Sequence, residues 1–202
     1  MKLWKKLVTG LLCTSITMFY TSYYAKASSY DLTTLTAQEI KLYAANPDKA
    51  YSAKICANKA ETFASNRYKK YTLYQGNGDA CRHAYWSALM TKNIDRDFAY
   101  DAGLAHEGLS RSYSFSGLEA DAKMDVSNNY TGRIIGTSMN TATDNQLAYA
   151  VADNVNGGKL KRIRTYTSKS SENDKTLHGV MTKYVGYYVA TTSGGYISSS
   201  TK

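Results

Sequence analysis

Six residues near the middle of the chain restrict its fold more than any others. Asp125, Asn128, Asn129, Gly132, Arg133 and Gly136 fall at i, i+3, i+4, i+7, i+8 and i+11. That spacing places all six on one face of an α-helix, here read from about Leu118 to Gly136. A face with this period is ordinarily the apolar one that packs inward. Here it is polar and small. Asn and Gly are poor helix formers, each less favourable than Ala by about 0.6–1 kcal/mol. An exposed face has little reason to collect them. The stripe therefore predicts a helix with its polar side turned into the protein, toward histidines carried elsewhere.

Two other segments carry those histidines. Gly76-Asn77-Gly78 is a glycine-rich turn that runs into a helical pattern through Met90, with Asp79 as the expected N-cap. Within it, His83, Ser87 and Met90 share a face. Arg82, His83 and Trp86 lie in a stretch apolar enough to be buried, which is costly without a purpose. Trp86 itself reads as core. A second buried helix spans Asp97 to Leu109, where Ala99, Ala102, Gly103 and Ala105 permit close approach and His106-Glu107 supplies the chemistry.

These segments suggest a site. His83, His106 and Asp125 are the ligand types of a divalent metal, zinc being favoured. Without metal, the same histidines and carboxylates, Glu107 included, would act as general base and orienter. Arg82 and Arg133, with the Asn128 and Asn129 amides, would meet an anionic substrate or orient the ligands. No His-Glu-x-x-His zinc signature is present, since Leu109 and Ser110 follow Glu107. Adjacent on a helix, His106 and Glu107 diverge by about 100°, so at most one points fully into a common site. The alternative is a buried polar network that only fixes helix order.

The remainder of the chain frames this core. Lys2, Lys5 and Lys6, an apolar run from Leu7 to Tyr20 and Ala25-Lys26-Ala27 read as a signal peptide over residues 1–27. An uncleaved anchor is the alternative. The bulky Leu12 before Cys13 disfavours a lipoprotein. Four of the 25 basic residues belong to the leader, leaving 21 against 16 acids, a net charge of +5. That mild excess suits an anionic cell envelope or membrane surface and gives no sign of nucleic-acid binding. No transmembrane segment is expected in the mature chain. Its roughly 175 residues suit one domain, 28–190, with a motif core at 74–136 and a Ser/Thr/Gly-rich, flexible tail at 191–202. Cys56 and Cys81 remain after cleavage, and an oxidising compartment makes a disulfide between them the expectation.

Helix signals recur along this domain. Thr36-Ala37-Gln38-Glu39 is a capping box. Asn46-Pro47 ends that helix and starts the next, which carries a stripe of Ala50, Ala53, Ala57, Ala60 and Ala64. Asp144 to Asn156 is another helix, capped by Thr143 or Asp144 and stopped by Gly157-Gly158. Lys159 to Arg164 reads as a solvated basic strip, and Glu172 to Tyr188 as a helix or a strand. The sum is a mainly α, bundle-like domain of about six helices.

The combined motifs resemble an uncharacterised bacterial domain family found in exported proteins. Its pattern runs Asp-Ala-x-Arg-His-Ala-x-Trp, then His-Glu, then Met-Asp-x-x-Asn-Asn-x-x-Gly-Arg. Here these are Asp79 to Trp86, His106-Glu107 and Met124 to Arg133. The resemblance implies a mostly helical domain with its site at these positions and implies no activity. A fainter likeness is to helical metal phosphohydrolases whose ligands run His, His-Asp, Asp. This chain departs in having Glu107 for the Asp and in its compressed spacing. The function expected is that of a secreted hydrolase acting on a phosphoester or cell-envelope bond. A non-enzymatic binding or toxin-like module is the alternative. Cleavage at Ala27 predicts that intact-mass measurement of secreted protein finds Ser28 first; a full-length species held in the membrane would refute it.

Overall fold

A computed structural model describes residues 35–166 and 185–192. The leader, most of Glu172–Tyr188 and the end of the tail lie outside the described residues. Six α-helices and a two-stranded ribbon make up the described part, a compact, mainly α domain. The helices are α1 (Ala37–Ala45), α2 (Pro47–Arg67), α3 (Asn77–Asn93), α4 (Arg96–His106), α5 (Ala120–Ser138) and α6 (Asp144–Asn156).

Local chemistry sets their ends. Thr36 and Thr143 each close a capping box, with Glu39 and Gln146 as the reciprocal partners. Asp95 caps α4 by accepting from the Phe98 amide. Pro47 opens α2 at its first position, and the Asn46 amide donates back to Leu42 of α1. One cap differs from the expectation. Helix α3 begins at Asn77 after Gly76, so Asp79 lies inside its first turn. The Asp79 carboxylate reaches back past the N-cap to accept from the Gln75 amide at 2.6 Å.

Helix α3 is the axis of the domain. From Asn77 to Met90 only Arg82 escapes full burial. Helix α2 lays its alanine stripe on α3, with Ala50, Ala53, Ala60 and Ala64 buried and Cys56 among them. Helix α6 covers another side with Leu147, Ala148, Val151 and Val155. The most extensive helix contact is between α3 and α5, and two glycines make it. A Cβ at Gly132 would stand 2.1 Å from the Ala84 carbonyl oxygen, and one at Gly136 2.5 Å from that of Ala88. Small residues four apart on both helices thus let the backbones touch.

Two expectations are corrected here. Lys159–Arg164 is no solvated strip: β1 (Lys161–Tyr166) pairs antiparallel with β2 (Val185–Ala190), Lys161 opposite Ala190 and Tyr166 opposite Val185. Arg162 and Ile163 are buried. The ribbon is tied to the helices by Ile163 donating to the Gln75 carbonyl and Asn77 donating to that of Thr192. Thr191, read as the start of a loose tail, is buried, and its hydroxyl donates to Val155. The second correction concerns the thiols. Cys56 and Cys81 are free, buried and not within disulfide distance. Cys56 on α2 meets Asn93, whereas Cys81 on α3 meets Tyr68, so the two side chains serve different packing contacts. Burial raises both pKa values, Cys56 to about 11 and Cys81 to about 12, which leaves the thiols inert.

The α3–α5 contact is backbone against backbone, so it cannot relax by a rotamer change. Gly132→Ala should therefore destabilise at or above the roughly 3 kcal/mol upper end usual for overpacking. Gly117→Ala, where a Cβ meets nothing within 4 Å, should be near neutral. Urea denaturation of the two variants checks this; equal midpoints would refute the close contact.

Candidate functional site

The predicted inward polar face of α5 is inward: Asp125, Asn128, Asn129, Gly132, Arg133 and Gly136 are all buried. It does not converge on one place. The glycines meet α3. Asn128 faces the ribbon, donating to the Lys161 carbonyl at 2.9 Å and accepting from its amide at 2.8 Å. These two bonds pin the start of β1 to α5. Asn129 packs against Gly103 of α4, and both atoms of its amide are buried with no hydrogen-bond partner. Arg133 opens onto a different cleft. Only Asp125 reaches the histidines.

Around His83 the structure gathers acids. Nε2 of His83 lies 3.4 Å from Asp125 Oδ1 and 3.5 Å from Asp79 Oδ1. One ligand atom from each of these three residues can be chosen so that all lie within 4.8 Å of one another. Asp79 therefore takes the place that the sequence suggested for His106 in a metal-binding triad. Its sequence signal was real, a buried acid in the first helical turn, but capping explained it without a site.

His106 stands behind this group. Its ring centroid is 5.7 Å from that of His83 and 5.4 Å from the Trp86 ring. Glu39 Oε1 holds its Nδ1 at 2.9 Å, while Glu39 Oε2 accepts from the Thr36 amide. The capping box of α1 thus also orients His106. Glu39 was legible only as a cap, because its 67-residue separation from His106 leaves no local signal. Trp86, as expected, is core, its indole donating to the Ala53 carbonyl.

The electrostatics are crowded. Burial and the neighbouring charges of Asp79, Glu107 and Asp121 push the Asp125 carboxyl well above the usual carboxylate range, with Arg82 opposing. Burial also raises Asp79, against Arg82 and the Gln75 amide. Glu107, at the C-cap of α4, is partly buried. Burial, Asp121 and Asp79 outweigh His106 and Arg82 and bring it to about 7. His83, 2 % exposed, is held well below its ordinary value by burial and by Arg82 and His106, so its imidazole is neutral. Burial works to lower His106 as well, but Glu39 and Glu107 overcome it and its pKa rises.

Arg82 is the cation of the site. Its Nη2 donates to Asp79 Oδ1 at 2.6 Å, lies 2.8 Å from His83 Nε2, and its Nε stands 3.7 Å from Glu61. Even so, polar atoms remain without partners. His83 Nδ1 and Asp125 Oδ1 are buried and make no hydrogen bond. The floor formed by His83, Asp79 and Asp125 is sealed. Arg82, His106 and Glu107 beside it are partly exposed. Chemically, the arrangement can hold a divalent cation on two carboxylates and one imidazole, or move a proton through Glu107 and His106.

The described residues form a mainly α domain with a buried His–Asp pair. This chain belongs to the family described as a domain of unknown function, DUF6973, whose model matches residues 40–159. No curated protein and no solved structure matches it. Among the described residues no helix is long and apolar enough to cross a membrane.

Burial and the neighbouring acids hold the Asp125 carboxyl protonated at neutral pH, and that proton uptake works against folding when no cation is bound. Asp125→Asn removes that cost with little change of shape. In EDTA at neutral pH the variant should melt at or above the wild-type temperature. A loss on the order of 3 kcal/mol, the mark of a broken ion pair, would show that Asp125 and His83 form a structural pair instead.

Proposed function

We propose that this is an exported hydrolase acting on a phosphoester or other cell-envelope bond, with a divalent cation held by Asp79, His83 and Asp125. The observation that carries the reading is the set of buried, unsatisfied donors. Asp125 Oδ1 and His83 Nδ1 lack partners in a cluster where the acids raise one another's pKa. Native interiors rarely leave such groups unpaired, and a bound cation removes the repulsion that raises Asp125. Two carboxylate oxygens and one imidazole suit manganese, iron or zinc.

When bound, the cation would polarise the scissile group and lower the pKa of a bound water. The chain supplies the rest. Glu107, near 7, exchanges a proton at neutral pH. His106, oriented by Glu39, offers its other ring nitrogen to the same task. Arg82, which stands between Asp79 and Glu61, would meet the negative charge that develops on substrate.

A non-enzymatic reading has one observation in its favour: Arg82 Nη2 already bridges Asp79 and His83 as an internal cation. The two readings separate in one experiment. Wild type and His83→Ala are dialysed against manganese and zinc, their metal content is measured, and both are screened with phosphodiester, phospholipid and peptidoglycan substrates. The hydrolase reading expects about one cation per chain and hydrolysis in wild type, both lost in His83→Ala. A chain that takes up no cation, cleaves nothing and melts far lower as His83→Ala would leave only the internal network.

A further inference from the structure

A second cleft, of about 660 Å³, lies between α4, α5 and the start of β1, and contains none of Asp79, His83, His106, Glu107 or Asp125. That volume is in the range of small-molecule sites. Three cationic side chains line it, Arg96, Arg133 and Lys161, against one acid, Asp97.

Arg133 is the informative residue. It is 6 % exposed, yet its guanidinium has no hydrogen bond or ion pair among the described residues. Two rings lie against it instead. The guanidinium carbon lies 4.7 Å from the Tyr100 centroid and 5.9 Å from that of Tyr130. Arg133 lines the cleft, and a guanidinium N–H edge matches two oxygens of one anion. A buried cation with no acceptor is expensive in a protein interior. Arg96 adds a second such feature. It is exposed at the first position of α4, where the helix dipole disfavours a cation, and its like charge opposes that of Arg133. An anion between the two arginines would remove both penalties.

The charge and the walls say what kind of anion. Three cations against one acid leave a balance of two positive charges, which matches a dianion better than a carboxylate. Tyr100, Tyr113, Tyr130 and Phe115 supply ring surface along the cleft. We propose that this cleft binds a phosphomonoester carried on a ring, with the phosphate received by Arg133 and Arg96 and the ring lying on the tyrosines. The site stands independently of the Asp79–His83–Asp125 cluster.

Calorimetric titration of the full chain with phenyl phosphate tests this, with inorganic phosphate and phenol as its two halves. Phenyl phosphate should bind more tightly than either half. Arg133→Gln should weaken it by about tenfold to a hundredfold, the loss of a hydrogen bond to a charged group. Since Arg133 is buried and its replacement also removes packing, Arg96→Gln is measured beside it. That exposed change should keep the melting temperature and still weaken binding severalfold. Vesicles containing phosphatidic acid present the same group on a lipid and should not compete. No binding of phenyl phosphate at millimolar concentration, or equal binding by wild type and both variants, would overturn the proposal. Arg133-dependent competition by the vesicles would overturn the small-ligand assignment.

Discussion

The approach of α5 to α3 governs the rest of the structure. Without side chains at Gly132 and Gly136, the α5 backbone lies on the Ala84 and Ala88 carbonyls. His83 immediately precedes Ala84, and Asp125 lies two helical turns before Gly132. The depth of the glycine contact therefore sets the 3.4 Å between His83 and Asp125. A larger residue would part the helices and separate the pair with them. The same contact turns Asn128 toward the ribbon and Asn129 toward Gly103. One stretch of small residues thus places a cluster, a pin and a helix interface at once.

Low dielectric surroundings give these placements their energetic meaning. Acids and imidazoles that would be hydrated on a surface are forced to act on one another, with Arg82, His106 and the Gln75 amide offsetting them in part. Proteins keep such local conflicts mainly where they serve a function, because a structural core can be built more stably from apolar residues. The contrast between the two arginines is instructive. Arg82 has acids on two sides and is partly exposed. Arg133 is deeper, lies against two tyrosine rings and has no acceptor among the described residues. The first belongs to a cluster the protein supplies; the second lines a cleft.

Much of the helical architecture is legible because its signals are local. Thr36 with Glu39, Asn46-Pro47 and Thr143 each act within four residues, and their helices start where they place them. The ribbon was not legible. Lys161–Tyr166 becomes a strand by pairing with Val185–Ala190, and Arg162 is buried by neighbours remote in sequence. A basic run that looks solvated carries no local mark of that partner. The cysteines failed for the reverse reason. Their even count suggested pairing, but Asn93 and Tyr68 engage them on different helices.

By itself the sequence determined which face of each helix turns inward. Periodicity is a property of neighbours three and four residues apart, and it survives whatever the rest of the chain does. It placed His83, Asp125 and Arg133 in the interior. Only the tertiary structure decided their company. Asp79 rather than His106 joins His83 and Asp125; Glu39 comes from α1 to hold His106; Arg133 leaves the histidines for a cleft of tyrosines. The helical period fixes the direction in which a side chain leaves its own axis. It does not specify which other helix lies there, and that is set by packing between segments tens of residues apart.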